Sequence, residues 1–488
     1  MTARHRFSGR CALFLLLSVS SAMAGAAHAE TLQGALAKAY RSNPTLTGAR
    51  AGQRATDENV PIQKASGRPA LDATGSYSES ILKPTISFTS PQRTLNANAQ
   101  LSVPLYTGGS VRNGIKAAKT RVAAGQADLR ATEASVFSQV VAAYMDVIRN
   151  GAVVALNQAN VRALEVNLQA TSDRFEVGDV TRTDVAQSES RLALARSDLQ
   201  GAEANLITAR ENYIALVGEA PDNLEPPPPL PGLPATPDSA VQVALKDNPD
   251  ISAAKKLREA QQFDVRAAKG TVLPTVSAFT QAGYTNYLDT LTSSATGSQI
   301  NKQASAGVQL NIPFYQGGRP AAQVRRSQAL ESQAMEKEIE VERNVIAQTR
   351  SAYASWQASL ESIQSNQKAV DAANLSLEGV RAENSVGSRT ILDILNAEQE
   401  AVNAKVQLVT ARRNAYVAGF SLLAAMGHAE ADDLNLDAGT LYDPVVNYDR
   451  VKGKWFDWDF DPAPKLQSTR TVDSPAQNAN VDPALAQP

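Results

Sequence analysis

The chain has 488 residues and a formal net charge of −2, and only 5% of its residues are aromatic. This low aromatic content argues against several conventional globular domains, because their cores depend on large aromatic side chains. The body of the chain has no window approaching 18 apolar residues without a charge, which argues against a transmembrane helix. A mildly acidic balance also argues against nucleic acid as a partner.

The N-terminus is typical of a secretory signal peptide. Three arginines among the first ten residues precede an apolar stretch, and the small residues Ala27 and Ala29 mark a cleavage site before Glu30. A membrane anchor is disfavoured because the apolar run is too short. The only cysteine, Cys11, lies within this predicted signal (residues 1–29). The mature chain is therefore expected to have no disulfide, no cysteine-bound metal and no lipid-bearing cysteine.

The mature sequence contains nearly the same unit twice, at an offset of about 209 residues. Val177-Gly178 aligns with Val386-Gly387, and Asp184 aligns with Asp393. The predicted repeats cover 30–219 and 238–428, and a proline-rich linker (220–237) joins them in an extended form.

Each repeat carries a pair of segments in which apolar and polar residues alternate. Strands are predicted at about 68–82 and 93–107 in the first repeat, and at about 272–288 and 302–316 in the second. A period of two over about ten residues is the pattern of a membrane barrel strand, but also of a half-buried soluble strand. The Asn, Gln and Ser residues on one face, together with the export signal, favour the barrel.

Long helices follow each strand pair. They are predicted at about 109–176 and 182–217, and at about 318–384 and 391–426. The longer helix of each pair would span roughly 100 Å, and heptad seams rich in alanine indicate closely packed coiled coils. A helical bundle without a channel would show the same periodicity. After the repeats, residues 429–461 are predicted to form a small appended segment, and 462–488 a disordered tail.

The residues give no support for catalysis. The mature chain has one histidine, His428, whose place after a helix suits a structural role. The Gly-Gly pairs lack the Lys-Ser/Thr of a phosphate loop, and the alternating Asp457, Asp459 and Asp461 lack the glycine and glutamate of a calcium loop. Neither an enzyme, nor a cofactor, nor a metal site is predicted.

An exported, duplicated chain with two strand pairs, two very long helices and Val-Gly turns resembles the TolC-type outer-membrane channel proteins. The likeness extends from about Thr31 to Gly427 and is strongest over 385–395. It implies a mixed α and β membrane protein: a homotrimer with a twelve-stranded outer-membrane β-barrel, continued by a coiled-coil α-helical barrel in the periplasm. The appended segment would lie at its equator. Such channels are passive exit ducts of efflux or type I secretion systems, opened by docking to a periplasmic adaptor and an inner-membrane pump.

The resemblance also assigns site residues. Asp393 matches the first acidic residue of a pore-constricting pair, whereas Asn396 replaces the second. Arg389 and Asp184 match the charged partners of an inter-protomer lock, although Asn384 replaces that lock's tyrosine. Without the family, these charges would be ordinary surface groups. The positions expected to meet the adaptor are Val177, Gly178, Val386 and Gly387.

A rival hypothesis is a soluble periplasmic scaffold or adaptor built on coiled coil. It would share the long helices but would have no use for four strands with alternating faces.

Overall fold

The computed structural model describes residues 30–82, 91–291, 298–436, 439 and 441–481. The predicted signal peptide therefore lies outside the described residues. The helices are α1 (Leu32–Ser42), α2 (Pro44–Asp57), α3 (Asn59–Ala65), α4 (Ser110–Glu176), α5 (Arg182–Val217), α6 (Pro237–Asp247), α7 (Pro249–Gly270), α8 (Arg319–Ser385), α9 (Ile391–Met426) and α10 (Pro444–Val451). The strands are β1 (Ala70–Glu79), β2 (Arg93–Thr107), β3 (Thr275–Asn286) and β4 (Ile300–Asn311).

The two Asn-Pro pairs join short helices to the long ones. The Asn43 side chain caps α2, and its Nδ2 donates to the Leu216 carbonyl at the end of α5 at 2.8 Å. In the second repeat Asn248 caps α7 and donates to the Ala425 carbonyl at 2.9 Å. Each asparagine thus starts one helix and satisfies an orphan carbonyl at the end of another, as helix termini require.

The helical segment after the first Asn-Pro pair is divided into α2 and α3. Pro61 has no N–H to bond the carbonyl four residues earlier, and its ring would clash there. That earlier residue is Asp57, the last of α2. The equivalent helix in the second repeat, α7, has no proline after its first turn and runs unbroken for 22 residues.

The described strands form one antiparallel sheet in the order β1-β2-β3-β4. The first strand pair joins the second through the β2–β3 pairing, in which Ala99 lies opposite Ala282. Every residue of β1 is exposed, and no residue of the other three strands is buried, so this sheet has no core of its own. It is also open, with β1 and β4 as its edges.

Strand β4 ends at Asn311, earlier than the predicted 316. Thr275, the first residue of β3, lies opposite Asn311, so residues beyond Asn311 have no neighbour in the sheet. The equivalent end of β2 continues to Thr107 because β3 supplies partners as far as that residue. The predicted end at about 316 was wrong because residues beyond Asn311 have no neighbouring strand to pair with.

Helices α4 and α8 have 67 residues each, which corresponds to roughly 100 Å. Helix α4 packs against α5, α7 and α9 and buries a long stripe of residues, whereas α8 buries only Val345, Thr349, Val370 and Ala373. A window of α4 is long and apolar enough for a membrane span, but 67% of it is buried within the protein, as in a core helix. The predicted seams of α5 and α9 supply most of their buried residues.

Residues 462–488 were expected to be disordered, but 462–481 follow the helical surface, and 482–488 lie outside the described residues. Ser468 Oγ lies 2.8 Å from Thr47 Oγ1, and Arg210 donates to the Asn480 carbonyl at 2.8 Å. Ala479 and Val481 pack on the main core. Polar and proline-rich composition gave the wrong prediction here because the contacts come from a preformed surface rather than from the segment itself.

Candidate functional site

The end of the molecule far from the sheet is formed by two matching turns. One joins α4 to α5 and the other joins α8 to α9. Gly178 has φ of +85° and Gly387 has φ of +80°, conformations that favour glycine. Each preceding valine is exposed, Val177 to 81% and Val386 to 79%. The four predicted adaptor-contact residues therefore lie at exposed turns.

Backbone hydrogen bonds fix the shape of both turns. The Gly178 N–H donates to the Phe175 carbonyl at 3.0 Å, and the next residue, Asp179, donates to the Arg174 carbonyl at 2.9 Å. Gly387 and Ser388 make the same two bonds in the second turn. This is a glycine C-cap that satisfies the last carbonyls of a helix. The exposed valine of each turn is therefore held by a hydrogen-bonded backbone.

Asp393 lies in the first turn of α9. Its Oδ2 accepts from the Thr390 backbone N–H at 3.0 Å and from the Thr390 hydroxyl at 2.7 Å. The Asp393 N–H donates to Thr390 Oγ1, which completes a capping box. The hydrogen bonds from Thr390 lower the pKa of Asp393, so its carboxylate is charged at neutral pH.

Asp184 has the same arrangement at the start of α5. Its Oδ2 accepts from the backbone N–H of Thr181 at 2.9 Å and from the hydroxyl at 2.7 Å. These bonds lower the pKa of Asp184 as well. The repeat therefore places a charged, capped carboxylate beside both turns.

The predicted lock residues are not paired within one chain. Arg389 Nε lies 2.6 Å from Glu383 Oε2, an ion pair across its own turn. Within the described part of the chain, Arg389 and Asp184 form no ion pair or hydrogen bond with each other. Asn384, which stands in place of the expected tyrosine, donates to the Arg389 carbonyl at 2.7 Å. It therefore supports the turn that carries Arg389.

Asn396, at the position where a second acid was expected, joins the two coils. Arg191 of α5 donates to Asn396 Oδ1 of α9 at 2.7 Å. The amide is thus engaged within the protein.

Sequence reasoning missed a buried carboxylate further from the turns. Glu398 of α9 is only 4% exposed, and it accepts from Asn167 of α4 at 2.8 and 3.0 Å and from Arg381 of α8 at 2.7 Å. One side chain thereby joins three helices. The sequence signal that could have identified it is its position between the seam alanines Ala397 and Ala401, because small seam residues allow helices to approach closely.

Comparison with known proteins adds to this geometry. Residues 35–219 and 240–428 match the outer membrane efflux protein family. The chain belongs to this family. The two matched ranges correspond to the two repeats, and the resemblance to TolC-type proteins is confirmed.

Two curated relatives are similar over long stretches. Outer membrane efflux protein BepC of Brucella suis is 39% identical over 443 residues, which cover 91% of this chain and 95% of that protein. Outer membrane protein TolC of Escherichia coli is 31% identical over 317 residues, which cover 62% of this chain and 63% of that protein. The chain is thus an outer-membrane protein that extends into the periplasm, and the soluble scaffold is set aside.

The fold agrees with a solved structure. Outer membrane protein VceC from Vibrio cholerae superposes with a TM-score of 0.70 at 23% identity, covering 81% of this chain and 96% of that chain. The combination of very long helices and a strand region is therefore shared, and at this level of identity the likeness concerns the fold alone.

Proposed function

We propose that this protein is the passive outer-membrane exit duct of a tripartite efflux or type I secretion system, and that it works as a homotrimer. The observation that carries the proposal is the open four-stranded sheet, in which no strand residue is buried, at one end of helices roughly 100 Å long. An open sheet edge is not tolerated in lipid, so the sheet must be closed by other chains. Three copies would give twelve strands.

The long helices support the same assembly. Helix α8 leaves apolar residues exposed in the single chain, including Leu330, Met335, Ile339 and Leu375. Its repeat mate α4 is covered by α5, α7 and α9. Neighbouring protomers that packed against α8 would cover it as these helices cover α4.

The internal repeat predicts how protomers pair. Ala73 lies opposite Ala99 in the first hairpin, and Ala278 lies opposite Val308 in the second. Ala99 also lies opposite Ala282, four residues after Ala278. If β4 meets the next protomer's β1 as β2 meets β3, Val308 should face the residue four after Ala73, which is Tyr77.

This register can be tested with cysteines, because Cys11 precedes the predicted cleavage site. Val308→Cys combined with Tyr77→Cys should form covalent trimers on oxidation or with a short bis-thiol reagent. Val308→Cys with Ala73→Cys is the matched control, since its thiols would be about 13 Å apart along the strand. Equal crosslinking of the two pairs would refute this register, and a monomer by light scattering in detergent would refute the trimer.

At the other end, the exposed Val177 and Val386 would meet the tips of a periplasmic adaptor, which in turn binds an inner-membrane pump. Two exposed valines on rigid glycine turns form an apolar surface that can dock without reorganisation. Val177→Asp with Val386→Asp should abolish export and adaptor crosslinking, while trimer yield and channel conductance remain. Retention of export would show that the adaptor binds elsewhere.

A further inference from the structure

The segment that follows α10 exposes four large aromatic rings. Trp455, Phe456, Trp458 and Phe460 (the aromatic segment) are 56%, 78%, 84% and 79% exposed, respectively. Rings of this size are costly to leave in water, and a contiguous exposed group of them indicates an interaction surface.

The aromatic segment lies at the base of the sheet. Arg68, two residues before β1, donates to the Lys454 carbonyl at 2.7 Å, and its guanidinium lies 4.3 Å from the Trp455 ring centre. Below it, Asn447 of α10 donates to Asp57 of α2 at 2.7 Å. Residue 468 then contacts Thr47, further still from the sheet. Residues 447–468 thus run along α2 and α3 toward the sheet, reverse direction at the aromatic segment and run back away from the sheet.

The acidic residues between the rings are mostly neutralised by nearby cations. Asp461 pairs with Arg450 at 2.8 Å and with Lys454 at 3.2 Å, and Lys454 also reaches Asp459 at 3.1 Å. The bonds from Arg450 and Lys454 lower the pKa of Asp461 to about 2. Asp457 is left exposed. The segment therefore presents rings with little uncompensated negative charge.

A cluster of cations lies beside the rings. Partial burial, together with repulsion from Lys119, Arg68 and Lys452, lowers the pKa of Lys64. Lys452 has an acidic partner, Asp449, at 2.6 Å. Lys64 instead donates to the Lys452 carbonyl at 2.6 Å, and Arg68 donates to a carbonyl as well. These cationic side chains could bind the phosphates of lipid headgroups.

We propose that the aromatic segment is immersed in the headgroup layer of the periplasmic leaflet of the outer membrane, where it binds phospholipid and holds the end of the sheet at the membrane surface. Trp is enriched at this depth because its ring is apolar and its N–H is polar. Lysine is depleted from protein interfaces, so rings bordered by lysines fit lipid better than a second protein. The inference rests on the proposed position of the sheet in the membrane.

Tryptophan fluorescence tests the proposal directly, because the chain has three tryptophans. Trp356 lies on α8, 37 residues from its start, or roughly 55 Å along the helix. In the reconstituted trimer with Trp356→Phe, lipids brominated near the headgroup should quench emission by roughly half, and more than lipids brominated near the chain ends. The Trp455→Phe, Trp458→Phe protein, which retains Trp356, should be quenched little.

A further variant tests the position of the sheet in the membrane independently of the aromatic segment. Ala73→Trp, in a protein with all three native tryptophans changed to Phe, reports whether β1 meets lipid. If Ala73→Trp is quenched and Trp455 and Trp458 are not, the headgroup assignment is wrong and the sheet remains in the membrane. If Ala73→Trp is not quenched either, the proposed barrel fails and the assignment fails with it.

A second measurement addresses the cations. Lys64→Glu with Lys119→Glu should reduce quenching at Trp455 and Trp458 in vesicles containing phosphatidylglycerol, because the anionic headgroups would be repelled. Lys246→Glu with Lys368→Glu, on α6 and on α8, makes the same charge change at positions remote from the segment. Equal quenching in both variants would refute the role assigned to the cations.

Discussion

Asp184 and Asp393 occupy the same position, the third residue of α5 and of α9, and each closes a capping box with the threonine three residues earlier. The duplication has thus conferred the same local structure on two carboxylates for which different roles are proposed. Asp393 is proposed to constrict the pore, and Asp184 to pair with Arg389 of a neighbouring protomer. Removing either side chain outright would also remove a helix cap. A useful substitution must therefore remove the charge and keep the oxygen that accepts the capping hydrogen bonds.

Asp393→Asn should abolish cation preference while the channel stays folded. Asparagine retains an oxygen that can accept the Thr390 bonds, but it carries no charge. A ring of three carboxylates in a narrow passage attracts cations far more strongly than the same charges on an open surface. The measurement is the reversal potential of single channels in a salt gradient, together with block by a trivalent cation.

Asp184→Asn is the matched control for that experiment, because it makes the same change in the same capping box of the other repeat. It should leave cation preference intact. If both variants lose preference equally, or if neither does, Asp393 does not line the constriction.

Arg389→Ser should raise single-channel conductance, because a neighbouring coil would lose its charged partner. Arg389 also pairs with Glu383 within its own turn at 2.6 Å, so an effect could come from that turn instead. Glu383→Gln breaks the local pair while leaving Arg389 free, and it should not raise conductance. Asp184→Asn should resemble Arg389→Ser. Equal opening by Glu383→Gln would assign the effect to the turn and refute the lock.

The repeat and the alternation of apolar residues were sufficient to predict the strand pairs, the four long helices and the Val-Gly turns. Contacts made outside the local sequence were not predictable in this way. Strand β4 ends at Asn311 because β3 offers no further partner, and Ala479 packs on a surface formed by distant helices. The three-helix role of Glu398 also depends on where α4 and α8 meet α9. Its repeat mate Glu189 lies at the equivalent position, between Ser188 and Leu192, and is exposed.

Glu398→Ala should destabilise the helical region by about 2 kcal/mol, because Asn167 would lose its buried acceptor and Arg381 its anion. The thermal midpoint of the trimer should fall, and amide exchange should rise in α8 and α9 near these residues. Glu189→Ala removes the equivalent, exposed carboxylate and should change stability by less than about 0.5 kcal/mol. Equal effects of the two substitutions would contradict the proposed clamp.

Glu133 of α4 should make the fold less stable as the pH rises. Its Oε1 accepts from the Ala431 N–H at 2.6 Å, just beyond the second repeat. Burial, with smaller contributions from Glu430 and Asp432, raises its pKa to about 7, although the Ala431 bond and Arg50 oppose the shift. The folded protein therefore holds a proton on Glu133 that the unfolded chain releases at lower pH.

The sign of the effect follows from this difference in pKa. Below pH 4.5, the unfolded pKa, Glu133 is protonated in both states and does not change the free energy of unfolding. Between pH 4.5 and about 7 only the unfolded chain ionises, so the folded state loses stability, to a limit of about 3 kcal/mol. Glu133→Gln retains an oxygen for Ala431 and does not ionise, so it should raise the thermal midpoint at pH 8 and leave it nearly unchanged at pH 4. Asp128→Asn, on the same helix, is a control for altered net charge. A gain from Glu133→Gln that is the same at both pH values would mean that ionisation of Glu133 is not the cause.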